Sequence, residues 1–403
     1  MRRVLAGVLA CVFAISANAS LAQDKPPLKL GGILDMSSLY ADITGSGSET
    51  AAKMAAEDFG GAVLGRKIEI VVGDHLNKAD LSANIARDMI DNQGVEMIFD
   101  VAASATALAA AEIAKARGKI IMFNGPGSIR LSNEACGPYT VHYVFDTFAQ
   151  ANVTGLAAVK SGLDTWFFLT ADYAFGQDLE KDTSSVVVKS GGKVLGSVRH
   201  PINTSDFSSF LLQAQASKAK VIGLANAGGD TINAVKQASE FGIQQGGQSL
   251  VAFLLFINDI HGMGLKAAQG LQLLEAFYWD MDDDTRAFAK RFAARPGMNG
   301  KMPSGNQAGV YASTLAYLNA VAATGSDDAK DVVPQMKTVK GKDRLFGDVT
   351  IRADGRVVHP MYLFEVKKPE ESKYPYDYYR LVSTIPADQA FRPIADGGCA
   401  LVK

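Results

Sequence analysis

Three stretches carry the residue types that could do chemistry. Ala102–Thr106 (Ala-Ala-Ser-Ala-Thr) follows an apolar run and leads into an alanine-rich helical pattern. Asn124–Ser132 (NGPGSIRLS) and Asp35–Ala51, which includes Tyr40, are likewise rich in hydroxyls and glycine. The chemistry these residues suit is non-covalent. Small side chains let a ligand approach the backbone, and the free N–H groups of a helix N-terminus with neighbouring hydroxyls favour an anion. Taken alone, each stretch could be an N-cap or an ordinary turn. Together they suggest a rim that holds a carboxylate or another polar group.

Reaction signatures are missing. The chain has no GxSxG elbow, no GxGxxG after a strand, no P-loop and no HExxH. Gly45–Glu49 (GSGSE) is only a weak glycine-rich match. Asp280, Asp282, Asp283 and Asp284 precede a helical pattern, where acids cap the helix and favour its dipole. With 5 scattered histidines and no CxxC, no metal site is expected, and no cofactor.

These stretches need a frame, and the apolar pattern supplies one. Strand-length runs at 28–34, 67–73, 95–101 and 119–124 alternate with helical patterns at 48–61, 78–92 and 104–117. That order predicts a parallel sheet covered on both faces by helices. In such a sheet ligands sit outside the carboxyl ends of the strands, where all three stretches fall. The pattern restarts with helix 147–160, strand 165–170, helix 175–190, strand 193–199, helix 206–216, strand 220–226 and helix 230–241. Strands 249–256 and 271–279 follow, then helices 284–294, 306–323 and 327–338. The Asp-Gly turn in RADGR (352–356) predicts a hairpin between strands 346–351 and 357–366, and 374–382 reads as a last extended segment. The fold class is α/β, with two successive open sheets and hence two lobes.

The 403 residues allow two or three domains. The net charge of −2 implies no nucleic-acid partner. Residues 1–22, with Arg2, Arg3, an apolar run and then small residues, read as a secretory signal peptide cut after Ala22, with Ala19 as the other plausible site. Cys11 lies inside the apolar run, although VLAC loosely matches a lipoprotein box. No later segment reaches about 18 uninterrupted apolar residues, so the mature chain is expected to be exported, soluble and periplasmic. Cys136 and Cys399 then remain. In an oxidising compartment an even pair suggests a disulfide, the alternative being two separate buried thiols.

The order of these segments resembles the periplasmic solute-binding proteins of the leucine/isoleucine/valine-binding type, which serve ABC importers. The resemblance rests on LKLGGILDMSSLYADITGSGSETAAKMAAEDFGG, GRKIEIVVGDHLNKADLSANIARDMID and SATALAAAEIAKARGKIIMFNGPGSIRLSNEAC, and runs over roughly 28–366. The match is strongest to a subgroup linked to aromatic acids and other small carboxylates as well as amino acids. It implies the type I fold: two Rossmann-like lobes joined by three crossovers, near 146, 280 and 356. Lobe one would be 24–146 plus 280–356, and lobe two 147–279 plus 357–403, with a Cys136–Cys399 clip beside the hinge.

The resemblance also implies a ligand set. Ala103, Ser104 and Thr106 fall on the family's hydroxyl-bearing turn, with Ala103 where some members have Ser. Pro126, Gly127 and Ser128 fall on the loop that takes the ligand carboxylate. In lobe two, Phe175 stands where Tyr is usual, with Tyr173 beside it. Asn226 and Asp230 follow, and Asp259 is the candidate acid for an amino-acid ammonium. Tyr40, Phe175, Tyr278 and Trp279 could enclose a ring, or could equally be core packing. The expected function is a monomeric binding component that closes on a branched-chain or other amino acid, or on an aromatic or aliphatic acid, and is read by an inner-membrane ABC permease. A ligand sensor for a membrane receptor and a periplasmic enzyme are the other readings.

Overall fold

The computed structural model describes residues 25–402 apart from residue 339; the expected signal peptide lies outside them. Six strands form the first sheet, in spatial order 62–63, 66–74, 28–34, 95–100, 120–123 and 140–142. All its pairs are parallel except the short 62–63 edge. The strands Leu28–Leu34, Val95–Asp100 and Ile120–Phe123 are almost wholly buried, as continuous apolar runs in a sheet covered on both faces must be. A second sheet of four parallel strands runs 249–252, 221–225, 165–171 and 193–200.

Three passages of chain link the two sheets. The first leads from Thr140–His142 to Thr165–Ala171. The second leads from the strand Gln272–Glu275 to the helices Asp283–Ala293 and Gly305–Thr324, both of which pack on the helix Gly45–Phe59 beside the first sheet. The third runs from Val357–Val358 to Met361–Val366, which pairs with Gln272–Glu275. At the crossing, Arg356 and Asp146 form a fully buried ion pair, 3.1 Å apart, and the Arg356 guanidinium lies 4.4 Å from the Phe391 ring centre. The Cys136–Cys399 disulfide is present nearby, with its Cα atoms 5.7 Å apart. It joins the tail to the loop after the first sheet's strand Ile120–Phe123.

The alternation of strands and helices is as read from the sequence, and the fold class holds. Local departures have physical reasons. The expected hairpin pairs only at Thr350–Val358 and Ile351–Val357. Pro360 lacks an N–H for the ladder, and the chain beyond it turns to pair with Gln272–Glu275 and Tyr379–Ile385 instead. The run 249–256 stays in its sheet only to Ala252; 253–256 leaves it and leads into the helix Ile257–Met263.

Candidate functional site

A small cavity lies between the two sheets. Each wall is built from loops at the carboxyl ends of three adjacent strands. From the first sheet, the loop after Leu28–Leu34 brings Tyr40, Ile43 and Thr44. The turn after Val95–Asp100 brings Ala102, Ala103 and Ser104, and the loop after Ile120–Phe123 brings Gly125, Pro126 and Gly127. From the second sheet, Tyr173 and Phe175 follow Thr165–Ala171, Ala227 follows Val221–Ala225, and Leu254 and Phe256 follow Ser249–Ala252. Asn306, at the start of the helix Gly305–Thr324, completes the lining.

The turn at 100–104 is held in an unusual shape. Asp100 and Val101 both take left-handed backbone angles, φ 71° and 58°, costly for a β-branched valine. The helix Ser104–Ala116 then starts at Ala103, and no side chain caps its first-turn N–H groups. The helix Ala174–Lys189 starts at Tyr173 and is equally uncapped. Both cap residues line the cavity. Its wall therefore offers the open amide ends of two long helices, where the aligned peptide dipoles favour negative charge. A third helix, Gly229–Glu240, carries its own acid, Asp230, in its first turn.

Contacts across the gap hold the walls together. The Tyr40 and Tyr173 hydroxyls are hydrogen-bonded at 2.6 Å, and burial pushes both phenols up from their ordinary pKa. The Ser128 hydroxyl donates to the Asp178 carboxylate on the helix Ala174–Lys189. A Cβ placed on Gly127 would lie 2.9 Å from both the Phe145 and the Phe175 rings, so only glycine lets the two walls meet there.

The sequence-derived candidates divide. Tyr40, Ala103, Ser104, Pro126, Gly127, Tyr173 and Phe175 come together at the cavity. The others stand behind its walls with partners of their own. The Thr106 hydroxyl donates to the Ala103 carbonyl at 2.6 Å, and the Ser128 N–H donates to the Ser104 hydroxyl at 3.0 Å. Asn226 binds His200 and Thr231. Asp230 accepts from the Thr204 N–H at 2.9 Å, and Asp259 accepts from the Phe256 N–H at 2.9 Å. Burial pushes both carboxyls up to about 7. Tyr278 and Trp279 each donate to the Tyr376 carbonyl at 2.9 Å.

Ile43 and Thr44 lie in the Asp35–Ala51 stretch without being singled out there, and Leu254, Phe256 and Asn306 had no signal in the sequence. Leu254 and Phe256 sit in an apolar run that reads as strand throughout. Asn306 reaches the cavity from a helix about 200 residues away from the turn it meets: its Nδ2 donates to Asp100 Oδ1 at 3.1 Å, with a sequence separation of 206.

Among the described residues, no aspartate, glutamate, lysine, arginine or histidine lines the cavity, and no group of three metal-ligating side chains occurs. Such a wall can hold a small, mostly apolar molecule and hydrogen-bond one anionic end.

The chain is similar to known proteins over nearly its whole described length. Residues 27–373 match the periplasmic binding protein family. A Leu/Ile/Val-binding protein homolog from Brucella melitensis is 24% identical over 387 residues, covering 93% of this chain and 95% of that one. The crystal structure of a periplasmic binding protein from Burkholderia mallei is 52% identical, with a TM-score of 0.91 over 94% of this chain and 99% of that one. A branched chain amino acid ABC transporter periplasmic ligand-binding protein from Burkholderia xenovorans LB400 is 40% identical, with a TM-score of 0.83 over 93% and 100%. With a match that spans far more than half its length, this chain belongs to the periplasmic binding protein family.

Proposed function

We propose that the protein is the extracytoplasmic solute-binding component of an ABC importer, and that it closes two lobes, 24–146 plus 280–356 and 147–279 plus 357–403, on a small carboxylate-bearing solute. The observation that carries this reading is the cavity itself, enclosed by loops from both sheets and bridged by the Tyr40–Tyr173 bond. The Burkholderia xenovorans relative, a ligand-binding protein of an ABC transporter, supports the importer role.

In this reading the carboxylate meets the open N-terminus of the helix Ser104–Ala116 and the Ser104 hydroxyl. Phe175, Phe256 and Leu254 pack on the rest of the solute. Charge-assisted hydrogen bonds contribute about 1.5–3 kcal/mol each, and closure expels water from the apolar faces. Because the cross-wall contacts exist only when the lobes meet, affinity reflects the difference between open and closed states. The permease reads the closed shape, and the solute leaves unchanged.

A thermal-shift screen with amino acids, benzoates, dicarboxylates and amides tests this reading. One class should raise the melting temperature, with the compound recovered intact by mass spectrometry. Conversion of the compound would favour an enzyme instead.

A further inference from the structure

Glu275 ends the strand Gln272–Glu275, on one of the passages that link the two sheets, and it is only 3% exposed. It does not line the cavity. Its carboxyl lies instead against the start of the helix Gly305–Thr324, where a Cβ on Gly305 would come within 2.6 Å of Glu275 Oε2. In the proposed division of the chain this contact crosses the seam, from the lobe of 147–279 to the lobe of 280–356. The helix start offers the carboxyl little. The Gln307 N–H donates to the Ser304 hydroxyl at 3.2 Å, and the Ser304 N–H donates to the Gln307 side chain at 3.0 Å. Among the described residues no donor is directed at Glu275.

The titratable groups that face Glu275 are Asp259, from the helix Ile257–Met263, and Tyr379, from the edge strand Tyr379–Ile385. Tyr362 stands opposite it in the strand pair, and Tyr278 packs on Tyr379 with ring centres 4.7 Å apart. Gln150, from the helix Thr147–Gln150, donates to the neighbouring Leu274 carbonyl. None of these is a cation. Burial, and then the Asp259 charge, push the Glu275 carboxyl well above the ordinary glutamate range. A buried carboxylate with neither cation nor donor costs far more than the neutral acid. Asp230 and Asp259 differ from it. Each takes a backbone N–H of its own lobe, from Thr204 and Phe256. Of the three acids, Glu275 is the one seated against the opposite lobe's helix.

We propose that Glu275 is a proton-linked closing switch: closing the lobes on solute seats its carboxyl against the Gly305 helix start and takes up a proton there, and its ionisation opposes closure as pH rises. The proposal rests on the reading that the lobes close on solute. The sign follows from the two states. Opened to water, Glu275 titrates near the ordinary 4.5; closed, it holds its proton to higher pH. Its contribution to closure is fully present below about pH 4.5 and is lost as pH rises towards the closed-state value. Solute capture is therefore stronger in acidic surroundings.

The probe is whichever amino acid, benzoate, dicarboxylate or amide raises the melting temperature of the mature protein most in the thermal-shift screen. Calorimetric titration with it at pH 7, in phosphate and in Tris, counts protons through the different ionisation enthalpies of the buffers. The wild type should take up about one proton per solute bound, and its affinity should fall by up to about tenfold per pH unit between about pH 6 and 8. Glu275→Gln, an isostere of the neutral acid, should take up almost none and bind with an affinity that hardly changes over that range. Asp230→Asn should keep the wild-type uptake. No proton uptake by the wild type overturns the proposal, and this result decides alone if Glu275→Gln does not fold. Uptake kept in Glu275→Gln but lost in Asp230→Asn or Asp259→Asn overturns it too, by placing the proton elsewhere. The underlying reading is judged separately by small-angle scattering with the same probe. Compaction without proton uptake would leave closure standing and remove the switch; binding without compaction, or no binding by any compound of the screen, would remove the reading itself.

Discussion

The hydroxyls of Tyr40 and Tyr173 lie 2.6 Å apart, although one residue follows a strand of the first sheet and the other a strand of the second. Both rings are buried, and both line the cavity. The bond therefore joins the two walls at the place where a solute would be enclosed, and in the proposed closing motion it favours the closed form. Tyr173→Phe removes one hydroxyl and keeps the ring. A neutral hydrogen bond contributes about 0.5–1.5 kcal/mol net. Calorimetry should show solute affinity roughly 3- to 10-fold weaker, with the melting temperature of the unliganded protein nearly unchanged. An equal loss in the unliganded protein would mean that the bond supports the fold rather than closure.

Gly127 makes a sharper test of contact between the walls. Any Cβ there meets Phe145 on one side and Phe175 on the other at 2.9 Å. Gly127→Val should leave a folded protein by circular dichroism and reduce affinity by about tenfold or more, since overpacking costs about 1–3 kcal/mol. Small-angle scattering should then show no compaction when solute is added.

Ser104 and Ser128 form a relay rather than two equal ligands. The Ser104 hydroxyl accepts from the Ser128 N–H, and the Ser128 hydroxyl reaches across to Asp178. Ser104→Ala strands a buried N–H and removes a hydroxyl from the cavity wall. It should cost about 1–3 kcal/mol in the unliganded protein, read by urea unfolding, and more than that in the complex. Ser128→Ala should weaken closure and also loosen the turn at Ile129–Ser132, whose Arg130 N–H its hydroxyl accepts at 3.3 Å. The double variant should show no solute-induced rise in melting temperature; an undiminished rise would displace the site from this wall.

Asp230 gives a prediction in pH. Burial pushes its carboxyl up to about 7, well above the ordinary value near 3.8. The folded state then binds a proton more readily than the unfolded state does. Stability from this group is fully present below about pH 4 and falls as pH rises towards 7. Asp230→Asn keeps an acceptor for the Thr204 N–H and cannot ionise. Its melting temperature should exceed that of the wild type by a few degrees at pH 8, and the gap should vanish at pH 4. A gap that does not change with pH would assign the effect to packing.

The Cys136–Cys399 disulfide spans 263 residues of sequence and lies outside the cavity lining. Replacing both cysteines with serine should cost about 2–4 kcal/mol of stability by restoring freedom to the unfolded chain. Solute affinity should change by less than about twofold, within the scatter of additive distant sites. A thiol assay on the folded wild type should be negative without a reductant.

The alternation of strands and helices and the first-sheet half of the cavity were legible because they follow from local signals. Apolar runs mark the strands, and small or hydroxyl residues mark the turns at their carboxyl ends, which is where Tyr40, Ser104 and Gly127 lie. What escaped depends on distant packing. Leu254 and Phe256 continue an apolar run whose exit from the sheet carries no glycine or proline. Asn306 meets Asp100 only because the helix Gly305–Thr324 packs on the helix Gly45–Phe59. Asp230 and Asp259 look like free acids in sequence, but each has a backbone N–H to hold.

The central claim is that a carboxylate solute sits between the two sheets, against Ser104 on one side and Phe175 on the other. A crystal structure of the protein grown with the compound that raises its melting temperature most in the screen tests it most directly. Density for that molecule should fill the cavity bounded by Tyr40, Tyr173 and Asn306, its carboxylate at the start of the helix Ser104–Ala116. Density for it anywhere else, with this cavity holding only water, would contradict the account.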